Sequence, residues 1–232
     1  MKKITALILA AGTGQRMHTD IPKQFIKING KPLFIYSVER FLQVADVVIV
    51  VTAKEQLPTC EDLLREAGLS ERVRVTEGGG ERFESSYKGL LAAKKEGAEL
   101  VLIHDAARAN ISEDVIRRVL SETETHGAAV AAVPMKDTVK RADGDGFVKE
   151  TLQREELWSI QTPQGFLTDL ILSAYEKMGV SNMKALGVTD DSMVMEKALQ
   201  RPVKLVMGDY DNIKVTTPSD LLIIQEKMET KC

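Results

Sequence analysis

Ala10-Ala11-Gly12-Thr13-Gly14-Gln15-Arg16-Met17 follows an apolar run directly and carries two glycines and a cation, the residue types that cradle phosphate oxygens. Glycine lets backbone N–H groups approach an anion closely, and Arg16 adds a fixed charge. Pro22-Lys23-Gln24 comes next, and a lysine held behind a proline beside such a loop can neutralise a triphosphate as a point charge. A dinucleotide fingerprint would need Gly or Ala where Met17 stands and an acidic residue after the second strand, which runs instead into Thr52-Ala53-Lys54. A P-loop would close on Gly-Lys-Ser/Thr, and Gln15-Arg16-Met17 does not. A tight strand-to-helix turn without a ligand is the alternative reading of the loop. Further along, His104-Asp105-Ala106-Ala107-Arg108 ends another apolar run; a lone Asp after a strand is usually a turn residue, but Asp105 also fits the hard oxygen donor that a magnesium–nucleotide site needs. His104 reads as packing, because no other histidine stands at metal-ligand spacing.

These segments can act together only if the chain brings them to one edge of a sheet. Short apolar runs alternating with amphipathic stretches predict parallel strands covered by helices on both faces. Expected strands are TALILA, DVVIVV, RVRVTE, ELVLIH and AAVAAVP, with later ones at Lys204–Met207 and 213–215. Between them, helices are expected over KPLFIYSVERFLQ, about 55–67, 83–95 and ISEDVIRRVLSETE, where Ser112 suits an N-cap followed by Glu113 and Asp114. Helices over 167–178 and 190–199 and a closing helix after Pro218 complete the pattern. The result is an α/β, Rossmann-like, three-layer domain spanning 1–232, with each loop at the carboxyl edge where open α/β sheets bind ligands. Residues 135–152 break the pattern. Around Ala142-Asp143-Gly144-Asp145-Gly146 they read as a charged hairpin arm that projects onto a partner or lies solvated at an edge.

Composition narrows the function classes. In 232 residues, 44% hydrophobic and 28% charged side chains describe an ordinary globular chain rather than a disordered or fibrous one. A net charge of -3 gives no basic surplus for a nucleic-acid backbone. Two cysteines, Cys60 and Cys232, make neither a disulfide framework nor a thiolate cage. The apolar run from Ile4 to Ala11 is short for a signal-peptide core and glycines follow at once, and no stretch approaches the roughly 20 residues that span a bilayer. A cytoplasmic location is the expectation.

Six segments in order, LAAGTGQRM with PKQF, EGGGERFES, HDAAR, KDTVKR with ETLQREELWSIQTPQGF, VTDD and DNIKVTTPSDL, resemble the 2-C-methyl-D-erythritol 4-phosphate cytidylyltransferase family along almost the whole chain. The resemblance implies that Ala10, Ala11, Gly12, Gly14, Arg16 and Lys23 hold the CTP triphosphate, and that Gly79, Gly80, Arg82 and Ser85 meet the nucleoside. It implies Mg²⁺ on Asp105 and Asp211. It also implies an acceptor site for a polyol phosphate built from Arg108, Arg154, Thr162, Thr189 and Lys214, shared across a homodimer through the hairpin arm, with Arg16, Lys23 and Lys214 catalytic. Two positions depart from the family pattern: Gly80 replaces a frequent Asp, and Ala109 a usual Pro. For Ser85 the plain alternative is a helix cap, and for Arg154 a surface ion pair. Rival readings are a cytidylyltransferase for ribitol 5-phosphate or another alditol or sugar phosphate, and a non-catalytic nucleotide sensor on the same fold.

Overall fold

Strands buried on both faces need apolar residues at every position, and the central runs of this chain have them. In the computed structural model, which describes residues 2–12 and 21–229, Ile4–Leu9 forms β1 and a small ribbon follows, β2 (Lys27–Ile28) and β3 (Lys31–Pro32). Helix α1 (Leu33–Phe41) leads to β4 (Val47–Thr52), α2 (Leu57–Glu66), β5 (Val73–Glu77), α3 (Arg82–Lys95) and β6 (Leu100–Asp105). Then come α4 (Glu113–His126), β7 (Ala128–Pro134), the arm strands β8 (Lys140–Ala142) and β9 (Val148–Thr151), and β10 (Trp158–Leu167). Helices α5 (Thr168–Met178) and α6 (Asp191–Leu199), strand β11 (Lys204–Met207) and helix α7 (Pro218–Glu229) complete the chain. The expected cap of α4 is present: Val115 N–H donates to Ser112 Oγ at 3.4 Å, and the helix ends at Gly127 in the left-handed region, φ 82°.

Seven strands form one sheet in the order β11-β7-β10-β6-β1-β4-β5. All are parallel except β10, which runs antiparallel between β6 and β7. Alternate residues feed two cores. Ala6, Ile8, Val48, Val50, Leu100 and Leu102 face α1, α2 and α4, while Leu7, Ile49, Val51, Val101 and Ile103 face α3, α5 and α6. Each buried Val, Leu or Ile among them contributes roughly 1.5–3 kcal/mol by leaving water, which makes the sheet a rigid platform for what stands on its edge. Cys60 lies in the first core, where burial pushes its thiol up to about 12, an inert group. No helix among the described residues is long and apolar enough to cross a membrane.

Two local features differ from the sequence expectation. Residues 213–215 do not form a strand: the backbone of 212–215 is tied crosswise over the loop after β6, with Val215 N–H donating to Ala107 O at 2.8 Å and Arg108 Nη1 to Asn212 O at 2.6 Å. Hydrogen bonds to a loop have replaced a ladder. Conversely, Trp158–Leu167 is a central strand although it contains Pro163. The register shifts between Ile160 and Gln164, so three residues face Ala131 alone, and in that bulge the ladder has no use for the N–H that proline lacks. The arm is a paired, fully exposed hairpin, with Phe147 and Val148 standing out into solvent.

Candidate active site

Register alone brings the loops together. Leu9 at the end of β1 lies opposite both Val51 and Asp105, and the next residues continue the match: Ala10 N–H donates to Val51 O at 2.7 Å and Ala106 N–H to Leu9 O at 3.0 Å. Ala10–Gly12, Gly78–Gly80 and Asp105–Ala107 therefore stand side by side on the carboxyl edge. Because β10 is antiparallel, its beginning reaches the same edge, and Thr162 meets Asp105, whose N–H donates to Thr162 Oγ1 at 3.1 Å.

Thr162 is fixed further by His104. Arg108 O can only accept, so the His104 Nε2 that faces it at 3.2 Å carries the proton, and Nδ1 accepts from Thr162 Oγ1 at 2.9 Å. Burial pushes the imidazole down to about 3, which keeps the ring neutral. His104 is thus more than packing: it orients a hydroxyl and a loop carbonyl.

Two cavities meet over this edge. One, of about 550 Å³, lies between β10, α6 and β11, within the size range of small-molecule sites. Arg108, Thr162 and Thr189 are on its wall. The other is lined by Ala10, Ala11, Gly12, Lys23, Gly79, Gly80 and Ser85. Arg82, Asp105 and Lys214 line both. The Asp105 carboxylate joins the two cations, with Arg82 Nε at 3.1 Å from Oδ1 and Lys214 Nζ at 2.6 Å from Oδ2. Burial opposes its charge, yet Arg82 and Lys214 beside it hold the carboxyl well below the usual range. Arg82 is partly buried, which works against its charge, and Asp191 and Asp105 keep it protonated.

Lys214 owes its place to anchors on either side. Asn212 Nδ2 donates to Thr162 O at 2.8 Å and to Gln161 Oε1 at 3.1 Å, Val215 is tied to Ala107, and Lys23 Nζ donates to Val215 O at 3.1 Å. Gln161 in turn donates to Asp209 O at 2.8 Å. The glycine loop is braced from α3: Gly79 N–H donates to Ser85 Oγ at 3.0 Å and Gly80 N–H to the Glu84 carboxylate at 2.8 Å. Ser85 is a brace rather than the cap, because Glu81 and Glu84 make a capping box at the start of the helix.

Not every expected residue reaches the cleft. The Asp211 carboxylate pairs with Lys227 at 2.6 Å and lines neither cavity. Arg154, at the return of the arm, is about half exposed, donates to Lys136 O at 3.0 Å and also lines neither. Gly14 and Arg16 lie outside the described residues. Asp191 and Tyr175 escaped the sequence reading although they hold Arg82 from behind. Only the second acid of VTDD hinted at them.

A sequence model of the 2-C-methyl-D-erythritol 4-phosphate cytidylyltransferase family matches residues 4–230. The chain belongs to this family. Relatives of that name from Lachnospira eligens, 42% identical over 94% of this chain and 96% of theirs, and from Clostridium botulinum Type A, 39% identical over 99% of both, match it along their length. The crystal structure of 4-diphosphocytidyl-2C-methyl-D-erythritol synthase from Anaerococcus prevotii superposes with a TM-score of 0.82 at 32% identity, covering 98% of this chain and 96% of that one. The two cavities of this chain join at Arg82, Asp105 and Lys214.

Proposed function

We propose that the chain transfers the cytidylyl group of CTP to the phosphate of 2-C-methyl-D-erythritol 4-phosphate, releasing pyrophosphate. The observation that carries this reading is the junction itself, where Arg82, Asp105 and Lys214 line a glycine-edged cavity on one side and a larger polar cavity on the other. An acceptor phosphate oxygen attacks the α-phosphorus while the bond to pyrophosphate breaks and its electrons leave with that group. No general base is needed, because a phosphate monoester with a second pKa near 6 is already largely dianionic at neutral pH. What remains is to hold two anions together and stabilise the charge that builds between them. Lys23 and the Ala10–Gly12 backbone serve the nucleotide, with Gly14 and Arg16 joining from the rest of that loop, while Gly79, Gly80 and Ser85 wall the cavity. Lys214 serves both partners, and Arg108, Thr162 and Thr189 take the acceptor. Arg108 suits that role because burial works against its charge and its Nε has no hydrogen-bond partner among the described residues, so an anion is what it lacks.

Asp105 fits a magnesium ion that arrives with the triphosphate, since Mg²⁺ takes one or two protein carboxylates and fills its octahedron with phosphate and water oxygens. Its oxygens are shared with Arg82 and Lys214, so the ion would take one position by exchange; Asp211 would first have to leave Lys227. The ion would neutralise phosphate charge. Arg154 would complete the acceptor site of a neighbouring copy through the exposed arm, in a cytoplasmic homodimer. Sedimentation at micromolar concentration tests the dimer, and a monomer would remove the shared site.

The direct assay is pyrophosphate release with CTP and Mg²⁺, offering methylerythritol 4-phosphate and ribitol 5-phosphate separately at equal concentrations. Strong preference for the first is expected; preference for the second, or silence with both, would overturn the acceptor. The glycine loop supplies a finer check. A Cβ on Gly79 would stand 2.3 Å from Glu84 Cβ, whereas one on Gly80 meets nothing closer than 3.7 Å. Gly79→Ala is therefore expected to weaken CTP binding tenfold or more, from a strain of order 1–3 kcal/mol, and Gly80→Ala by less than about twofold. Equal effects in calorimetric titration would contradict the loop's role.

A further inference from the structure

Behind the junction lies a polar pair that the transfer scheme leaves unused. Asp191, in the first turn of α6, and Tyr175, on the inner face of α5, are both fully buried. The Tyr175 hydroxyl donates to Asp191 Oδ1 at 2.6 Å, and Asp191 Oδ2 accepts from Arg82 Nη1 at 2.8 Å. The backbone of the pair is fixed as well, since the N–H groups of Asp191 and Ser192 both donate to Gln164 Oε1 at 3.1 Å on the strand that carries Thr162. A buried carboxylate and a buried hydroxyl are costly to keep, and nothing about packing α5 on α6 requires them. They make sense if the guanidinium they hold must stand in one place.

Arg82 has donors to spare. Nε serves Asp105 and Nη1 serves Asp191, while Nη2 makes no hydrogen bond among the described residues. The side chain lines both cavities, so it stands where the phosphorus changes partners. We propose that Tyr175 and Asp191 are positioning residues that lock the Arg82 guanidinium at the junction, leaving its remaining donors for the phosphoryl oxygens of the transition state. The proposal rests on the transfer reading above. Its consequence is that the pair acts on turnover rather than on substrate binding, because the charge Arg82 meets is largest midway through transfer.

Tyr175→Phe removes one oxygen and keeps the ring, which stacks on Tyr87 at 5.7 Å between centroids. Turnover in this variant is expected to fall about tenfold with both KM values within twofold, and in Asp191→Asn about a hundredfold. Arg82→Gln should fall at least as far, and the double variant Arg82→Gln/Asp191→Asn no further than Arg82→Gln alone, since Asp191 acts through Arg82. The double variant also leaves no unpaired buried charge, so its fold can be compared directly by circular dichroism. Independently of any acceptor, the Arg82 Nε–H resonance in ¹⁵N spectra should exchange slowly with water in the native chain and faster in Tyr175→Phe. Unchanged turnover and an unchanged resonance in Tyr175→Phe, or multiplicative losses in the double variant, would overturn the proposal. If the native chain fails to use methylerythritol 4-phosphate while the resonance still responds, the acceptor assignment falls and the positioning role stands.

Discussion

Lys214→Ala is expected to lower turnover with CTP, Mg²⁺ and methylerythritol 4-phosphate by roughly two orders of magnitude, about 3 kcal/mol of transition-state stabilisation, without unfolding the chain. The charge is lost from the one lysine among the described residues that faces both cavities. The fold survives because Lys214 hangs on a segment tied by Asn212 and Val215, whose contacts do not pass through its side chain. Asp105 keeps Arg82 as a partner. Lys214→Arg is expected to recover only part of the rate, because a planar fork is a poor substitute for a compact charge shared between two anions. Steady-state kinetics on both variants checks this; a loss below threefold in Lys214→Ala would remove the lysine from the chemistry.

Asp105→Asn should be at least as damaging, and its signature is a pH dependence as well as a rate. Burial raises the cost of the Asp105 charge, but Arg82, Lys214 and Arg108 more than offset it, so the carboxyl titrates well below its ordinary range in the folded chain. A group depressed in this way contributes stability that is fully present above its unfolded value near 4 and is lost as pH falls from there toward the folded value. The native chain should therefore lose stability on acidification from pH 5 to pH 3 more steeply than the Asn variant. At pH 7 the variant should be the less stable, since Arg82 and Lys214 lose their common counter-charge. Urea unfolding across that range decides it, and parallel slopes would mean that the carboxylate is not held as described. Turnover is expected to drop a hundredfold or more.

How far the sequence could be read depended on where each stabilising contact lies along the chain. Strands such as Val47–Thr52 and Leu100–Asp105 declare themselves because each opens on an unbroken apolar run, and α4 because its cap, first turn and terminal glycine are all local. Trp158–Leu167 did not, since its glutamines and proline break the apolar pattern and only its two sheet neighbours make it a strand. Residues 213–215 failed in the opposite sense: an apolar–lysine–apolar pattern suits a strand, but the bonds that hold it come from Ala107 and Arg108 a hundred residues earlier. The glycine loops and HDAAR were legible because their residue types have few other uses. Tyr175 and Asp191 were not, because a tyrosine on the inner face of a helix looks like core, and the tie from Asp191 to Arg82 reaches back 109 residues.

The antiparallel insertion of β10 has a genealogical side. The wall of the glycine-edged cavity comes from residues up to Ala107, with Lys214 the sole later contribution among the described residues, whereas the larger cavity draws chiefly on 160–205. On the proposed transfer reading, the two substrates are thus served by separate stretches of the chain. A descendant can take up a new alcohol phosphate by rewriting the later stretch while its claim on CTP passes down intact, and the residues where such rewriting must stop are the three that both halves own, Arg82, Asp105 and Lys214.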